Sequence, residues 1–385
     1  MTPPGWDGRV DDELDAVRAA GRWRVVRDLD PTGPVTGTVE GRTVVTFAAN
    51  DYLGLTRHPA VVAAAHAALD RWGAGSGASR LVVGSRPVHG ELESELAAWK
   101  ASEAALLFPT GFAANLGVLA ALGGPDVTIL SDELNHASIV DGARLARAGV
   151  RVYRHRDLDH LAKLLVEVDA EARGPALVVS DSAFSMDGDV ADVAGLGELC
   201  AAHDALLVLD EAHAVLGPAV VGGAGARVLR VGTLSKALGA LGGFVAGPRR
   251  YVDLLRNRAR PFIFTTAPTP ADTAAGLAAL RVVRSAEGSA LVARLRAHVD
   301  RLRPGHPTPI VPVVLGEEAA ALDAAEALLA AGLLVPAIRP PTVAPGTSRL
   351  RVALSAAHTG DQVDRLAAAL AALPGPAGGT GVAPA

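Results

Sequence analysis

Lys236 lies at the centre of Gly232-Thr-Leu-Ser-Lys-Ala-Leu-Gly239, among small residues and directly after the apolar run Val228-Leu-Arg-Val231. The chain has only three lysines, Lys100, Lys163 and Lys236, and otherwise draws its positive charge from arginine. A lysine in a glycine-bounded turn behind a buried strand is placed for amine chemistry, because burial lowers its pKa and frees the lone pair. Taken alone, the segment also admits a solvated loop lysine, so the groups around it must decide. Several earlier apolar runs are followed by polar groups. Ser131-Asp132 and Asn135-His136 come after Val127-Thr-Ile-Leu130, and Ser180, Asp181 and Ser185 after Ala176-Leu-Val-Val179. Asp210, Glu211 and His213 come after Leu206-Leu-Val-Leu209, and Thr233, Ser235 and Lys236 after Val228–Val231. In an open α/β sheet, ligands bind beyond the carboxyl ends of the strands, so these groups should converge.

A buried lysine, an aspartate, two histidines and a helix start ready for an anion meet the needs of a pyridoxal phosphate site. The lysine forms a Schiff base with the cofactor aldehyde. An aspartate beside the pyridine nitrogen keeps it protonated, and hydroxyls with a helix N-terminus hold the phosphate. The helix start is offered by Pro109-Thr-Gly-Phe-Ala-Ala-Asn115, after the short strand Ala105–Phe108. A metal hydrolase built on Asp210, His213 and His136 lacks a third ligand at a fixed offset and leaves Lys236 without a role, so no metal is expected. A Ser-His-Asp hydrolase wants a Gly-x-Ser-x-Gly elbow, which is absent.

The elements that must position these groups follow from the apolar pattern. Runs at 127–130, 150–153, 176–179, 206–209, 228–231 and 243–246, with helical segments between most of them, predict a mostly parallel sheet covered on both faces. The last run is expected to pair differently, its link to Lys236 being short. Gly73-Ala-Gly-Ser-Gly-Ala-Ser79 follows a helix rather than a strand, which rejects a dinucleotide fingerprint in favour of a tight loop. Residues 11–27 read as an amphipathic helix and 38–47 as a small hairpin, together an N-terminal arm over 1–47. A large cofactor-binding domain is expected over 48–285 and a smaller C-terminal α+β domain over 286–373. Residues 374–385, rich in Gly, Pro and Ala, read as a disordered tail. At 385 residues with net charge -5 and a single cysteine, Cys200, the composition indicates a soluble cytoplasmic protein. Nothing in it points to nucleic acid, membrane or a signal peptide.

Several segments together resemble the α-oxoamine synthases, a family of fold-type I pyridoxal phosphate transferases. They are Asn50-Asp-Tyr-Leu-Gly-Leu55, Gly75-Ser-Gly-Ala-Ser-Arg80, Gly111-Phe-Ala-Ala-Asn115, Leu134-Asn-His-Ala-Ser138, Phe184-Ser-Met-Asp-Gly188, Asp210-Glu-Ala-His213 and the Lys236 segment. Pro309-Ile-Val-Pro-Val-Val314 and Ala337-Ile-Arg-Pro-Pro-Thr-Val-Ala-Pro-Gly-Thr-Ser-Arg-Leu-Arg351 are most similar to the branch that condenses L-alanine with a pimeloyl thioester in biotin synthesis. The resemblance implies that Lys236 anchors the cofactor covalently and acts as acid and base. It pairs Asp210 with the pyridinium nitrogen, sets His213 and Ser185 on the ring hydroxyl, and stacks His136 on the ring. The phosphate falls to the amides of Gly111 and Phe112 with Thr233 and Ser235, and to Thr265 or Thr266 of a neighbouring subunit, which implies a homodimer with shared active sites. On the substrate side it implies Arg339 as the carboxylate clamp, with Thr342, Asn50, His136 and Arg24 (or Arg22) near it. The acyl donor is pimeloyl-CoA or a pimeloyl-carrier protein. One departure stands out: the segment between His213 and Gly232 is shorter than in the family by roughly half a dozen residues, which bears on thioester contacts. The alternatives are another α-oxoamine synthase, such as one using glycine or acting in secondary metabolism, and a catalytically impaired scaffold that only binds the cofactor.

Overall fold

A computed structural model describes residues 5–172, 174–218 and 226–373. The expected tail at 374–385 and part of the shortened segment, 219–225, lie outside the described residues. Helix α1 (Trp6–Ala19) leads to the antiparallel strands β1 (Leu29–Pro31), β2 (Thr36–Val39) and β3 (Arg42–Thr46), and then to α2 (Pro59–Trp72) and α3 (Pro87–Trp99). The central stretch alternates β4 (Ala104–Phe108), α4 (Gly111–Leu122), β5 (Thr128–Asp132), α5 (Ala137–Leu145), β6 (Gly149–Tyr153) and α6 (Leu158–Glu171). It continues through β7 (Ala176–Asp181), α7 (Val193–Ala202), β8 (Leu206–Asp210), β9 (Arg227–Thr233) and β10 (Gly243–Gly247). Helices α8 (Arg249–Arg258), α9 (Arg260–Ile263), α10 (Pro270–Val283) and α11 (Ala286–Leu302) follow. The chain ends through β11 (Ile310–Gly316), α12 (Glu318–Ala330), β12 (Leu333–Leu334), β13 (Ala337–Ile338), β14 (Ser348–Ala353) and α13 (Gly360–Ala371).

The main sheet has seven strands in the order β4-β10-β9-β8-β7-β5-β6. Strands β5 to β9 run parallel, and β10 is antiparallel to both of its neighbours. The link at 234–242 is too short for the helical crossover a parallel partner requires, so the chain turns straight back. Both faces are covered, which is why these strands read as continuous apolar runs. Alternate residues feed opposite faces: Ile129, Val179 and Val208 pack with helices α4, α5 and α8, whereas Leu130, Val178, Leu207 and Leu209 pack with α6 and α7. Truncating a fully buried leucine such as Leu209 to alanine would cost about 2–5 kcal/mol, the scale on which the strand ends are held. A third core joins α2, α3, α10, α11 and α13 to the second face at Leu107, Phe244 and Ala246.

The C-terminal region carries the sheet β11-β14-β13. Strand β12 instead pairs in parallel with β3, so the N-terminal strands and the C-terminal region share one sheet. The leading helix ends earlier than its periodicity predicts. Gly21 adopts φ +64°, donating to the Arg18 carbonyl while Arg22 donates to Val17, which closes α1 with a left-handed cap. Beyond it Trp23, Arg24, Val25 and Val26 lie exposed.

Candidate active site

Lys236 is carried by the turn between β9 and β10. Leu234 donates its N–H to the Gly242 carbonyl (2.9 Å), Ala240 donates to Leu234 (2.9 Å) and Gly239 to Lys236 (3.0 Å), so the loop is stitched internally. Gly239 has φ +59°, and a Cβ there would lie 2.5 Å from the Thr56 nitrogen. Glycine alone meets both demands, and the fit presses the lysine loop onto the turn at 50–56. That turn is built on Asp51, whose carboxylate accepts the Leu55 N–H (2.8 Å) and the Thr56 hydroxyl (2.5 Å).

The Lys236 amine makes no hydrogen bond or ion pair with a described residue. Burial lowers its pKa against the pull of the Asp210 and Asp181 charges, and Arg351 lowers it further. It is therefore a readier base and nucleophile than a surface lysine. Lys100 differs: it donates to Glu211 at 2.6 Å, and the same carboxylate takes Arg230 Nε at 2.6 Å. Glu211 thus belongs to a buried ion cluster, although it adjoins Asp210 in sequence.

Asp210 ends β8 beside its register partner Asp181 at the end of β7. Its Oδ1 accepts the Ala212 N–H (2.8 Å) and its Oδ2 accepts from Asn115 Nδ2 (2.6 Å). The Asp210 carbonyl takes both the N–H (2.8 Å) and the hydroxyl (2.9 Å) of Ser182, which pins the strand end. Asp181 accepts the His136 N–H at 2.8 Å. Burial raises the Asp181 pKa well above the usual carboxylate value, and the Asp210 charge adds to the rise.

His136 caps α5, with Nδ1 2.7 Å from Ser138 Oγ and 3.2 Å from the Ser138 nitrogen. Asn115 Nδ2 donates to that Ser138 hydroxyl as well (2.9 Å). The ring meets Phe112 edge to face at 6.3 Å. Loss of hydration lowers its pKa, with Asp210 opposing and Lys236 reinforcing. His213 Nδ1 lies 2.6 Å from the Tyr52 hydroxyl, itself 3.0 Å from Asn50 Oδ1. Arg351 donates from Nη2 to the same Asn50 oxygen (3.1 Å) and from Nε to the Ser185 carbonyl (2.5 Å). Burial holds His213 well below the ordinary histidine pKa, and Lys236, Arg351 and His136 push the same way. Burial also pushes the Tyr52 hydroxyl up to about 12. Lys236, Asp210, Asp181, His136, His213 and Arg351 therefore form one electrostatic cluster.

At the start of α4, Thr110 caps the helix by accepting the Ala113 N–H (3.0 Å), and the amides of Gly111 and Phe112 donate to no described residue. A Cβ on Gly111 would lie 3.2 Å from Thr233 Cβ, so the helix start abuts the lysine loop. Thr233 Oγ1 and Ser235 Oγ are 2.7 Å apart there. Two free amides and two hydroxyls at a helix N-terminus are an anion cradle.

Other expected residues line two further clefts or adjoin Arg351. Arg24, Arg339 and Thr342 line a cleft of about 500 Å³ with Trp23 and Pro336. There Arg339 donates to the Gly21 carbonyl (2.6 Å), tying down the chain after α1, and Arg22 pairs with Glu318 at 2.6 Å. Thr265 and Thr266 line a separate cleft with Leu81, Val82 and Phe264. Ser185 adjoins Arg351 through its carbonyl, and its hydroxyl makes no hydrogen bond with a described residue. Sequence reasoning gave no role to Arg351, Tyr52, Asn115 or Ser138. A signal existed for Arg351: with Arg349 it sits at a spacing of two inside a wholly buried strand, where an arginine needs a reason.

A family model described as aminotransferase class I and II matches residues 42–370. An 8-amino-7-oxononanoate synthase from Anaeromyxobacter dehalogenans is 54% identical over 380 residues, covering 94% of each chain. One from Methylobacterium sp. is 51% identical over 363 residues, covering 93% of this chain and 94% of that one. The chain belongs to the 8-amino-7-oxononanoate synthase family. Among solved structures, serine palmitoyltransferase from S. paucimobilis with bound PLP-myriocin aldimine superposes with a TM-score of 0.86 at 28% identity, covering 94% of this chain and 95% of that chain. In this member of the 8-amino-7-oxononanoate synthase family, the amine, the carboxylates, both histidines and the anion cradle all fall inside the matched residues. Arg24 lies before them.

Proposed function

We propose that this protein is a pyridoxal phosphate-dependent synthase that condenses L-alanine with a pimeloyl thioester, releasing carbon dioxide, free thiol and 8-amino-7-oxononanoate. The observation that carries this is an unpaired lysine amine whose pKa burial lowers, within the electrostatic reach of Asp210 and Asp181, on a loop that abuts a helix start with two free amides. The residues fit the cofactor: two amides without an acceptor among the described residues suit a phosphate, and Asp210, with one hydrogen bond fixing each oxygen, suits a pyridine nitrogen. The chemistry the cofactor supplies when bound is an electron sink for a carbanion at the amino acid's α-carbon.

The chain's own side chains do the rest. Gly111, Phe112, Thr233 and Ser235 hold the phosphate. Asp210 holds the proton on the pyridine nitrogen, and Asn115 and the Ala212 N–H keep that carboxylate aimed. Lys236 anchors the cofactor and then, as a free amine, takes the α-proton and returns one at the end. His213, kept neutral by burial and held by Tyr52, would with Ser185 serve the cofactor's ring hydroxyl, and His136 would cover the ring. Arg351, held by Asn50 and the Ser185 carbonyl within the Lys236 cluster, orients the substrate carboxylate until decarboxylation. The cleft of Arg24, Arg339 and Thr342 serves the acyl side of the reaction.

The working form is a cytoplasmic homodimer with shared sites. Leu81, Val82 and Phe264 are 53%, 72% and 69% exposed and line one cleft with Thr265 and Thr266. An apolar face of that kind marks a partner surface, here a second copy whose threonines reach the phosphate.

A substrate panel tests the reading. L-Alanine, glycine and L-serine are each offered with pimeloyl-CoA, acetyl-CoA and palmitoyl-CoA, and products are identified by mass. L-Alanine with the pimeloyl donor is expected to give the highest kcat/KM; preference for serine with the palmitoyl donor would overturn it.

A further inference from the structure

The donors between Asp210 and His136 can be counted out proton by proton. Asn115 is 1% exposed and its Nδ2 lies within hydrogen-bond reach of both Asp210 Oδ2 and Ser138 Oγ. Turning the amide over would set its oxygen against the Asp210 carboxylate, so the two amide protons serve these two acceptors. Asn115 Oδ1 is left buried without a partner, a cost the structure bears to keep the amino group facing the carboxylate. With its oxygen already accepting from Asn115, Ser138 has one proton to give, and His136 Nδ1 stands 2.7 Å away. The Ser138 N–H points at the same nitrogen. Nδ1 is thus an acceptor from two donors, and the ring proton must reside on Nε2.

We propose that Asn115 and Ser138 are positioning residues that transmit the Asp210 charge to His136 and fix its ring as the neutral Nε2–H tautomer. The consequence rests on the cofactor reading given above, although the tautomer itself does not. A ring proton held at the pyridine nitrogen by Asp210 would be opposed by an imidazolium stacked over it. The relay makes the two states compatible, because the same carboxylate that favours the pyridinium sends its hydrogen-bond order to the unprotonated nitrogen of His136. Nε2–H remains the only donor the ring can turn toward a substrate.

The experiment is ring ¹⁵N NMR of the holoenzyme with labelled histidine, the His136 signals being assigned by their loss in His136→Gln. Wild type is expected to show a pyridine-like Nδ1 and a protonated Nε2. Ser138→Ala keeps the backbone N–H on Nδ1 but loses the shorter hydroxyl donor, so it and Asn115→Leu are expected to admit a measurable share of the Nδ1–H tautomer, and Ser138→Thr to restore the single signature along with kcat. A protonated Nδ1 in wild type, or an unchanged signature in Ser138→Ala, would overturn the proposal even if Asn115→Leu failed to fold. Failure of the cofactor reading is distinct: the wild-type protein would then bind no pyridoxal phosphate, whatever its tautomer.

Discussion

In the proposed function, Arg351 and Arg339 divide a role that the family resemblance assigned to Arg339. Arg351 stands in the Lys236 cluster, whereas Arg339 is engaged with the backbone after α1. Replacing a bidentate guanidinium with an ammonium is not conservative. Arg351→Lys is expected to raise KM for L-alanine by roughly tenfold or more, the loss of a charged hydrogen bond, with KM for the acyl donor nearly unchanged. The same steady-state assay on Arg339→Lys is expected to show the reverse pattern, and a rise in alanine KM there would return the clamp to Arg339. At this scale the sequence is legible where chemistry demands a rare type, as with Lys236. Lys100 shows the limit of that cue: it is as rare and as buried, but Glu211 matches it, and only packing reveals the match. The relay through Asn115 and Ser138 was likewise invisible, because an amide and a hydroxyl gain meaning from geometry rather than type.

Among elements, the loop from β7 that carries Ser185 is clamped from outside the site. His155 bridges Asp132 and Asp189 at 2.9 Å on each side and meets Phe184 edge to face at 4.4 Å. Burial works against its charge, but the two carboxylates outweigh it and raise the pKa to about 9 from the ordinary 6.5. A folded-state pKa above the unfolded one gives stability that is full below about pH 6.5 and fades as the pH rises through about 9. The Tm gap between wild type and His155→Gln is therefore expected to be widest near pH 6 and to close by pH ~10; a constant gap would contradict the clamp. Element types were readable because strands covered on both faces form unbroken apolar runs. The end of α1 was overrun because Gly21 was not taken as a stop, although a left-handed glycine cap is what ends it. The β3–β12 pairing joins segments nearly 300 residues apart, and two-residue strands leave no periodicity to read.

The whole molecule is expected to work as a pair of chains. Lys236→Ala disables the site in its own subunit, whereas Thr265→Asp with Thr266→Val places a repelling charge at the partner's phosphate. If the sites are shared, mixing the two inactive proteins should restore about one working site per heterodimer; no recovery would mean that each chain serves itself. The parallel sheet made this scale legible in outline, since its carboxyl edge had to gather the polar groups, while the proposed surface for a second copy left only scattered apolar residues in the sequence. The central claim is that Lys236 both anchors the cofactor and moves the α-proton, and one measurement bears on it most directly. Lys236→Ala is incubated with pyridoxal phosphate, L-alanine and pimeloyl-CoA, and 8-amino-7-oxononanoate is quantified by mass beside wild type. No catalytic turnover above background is expected from the variant; sustained formation of the product would contradict the account.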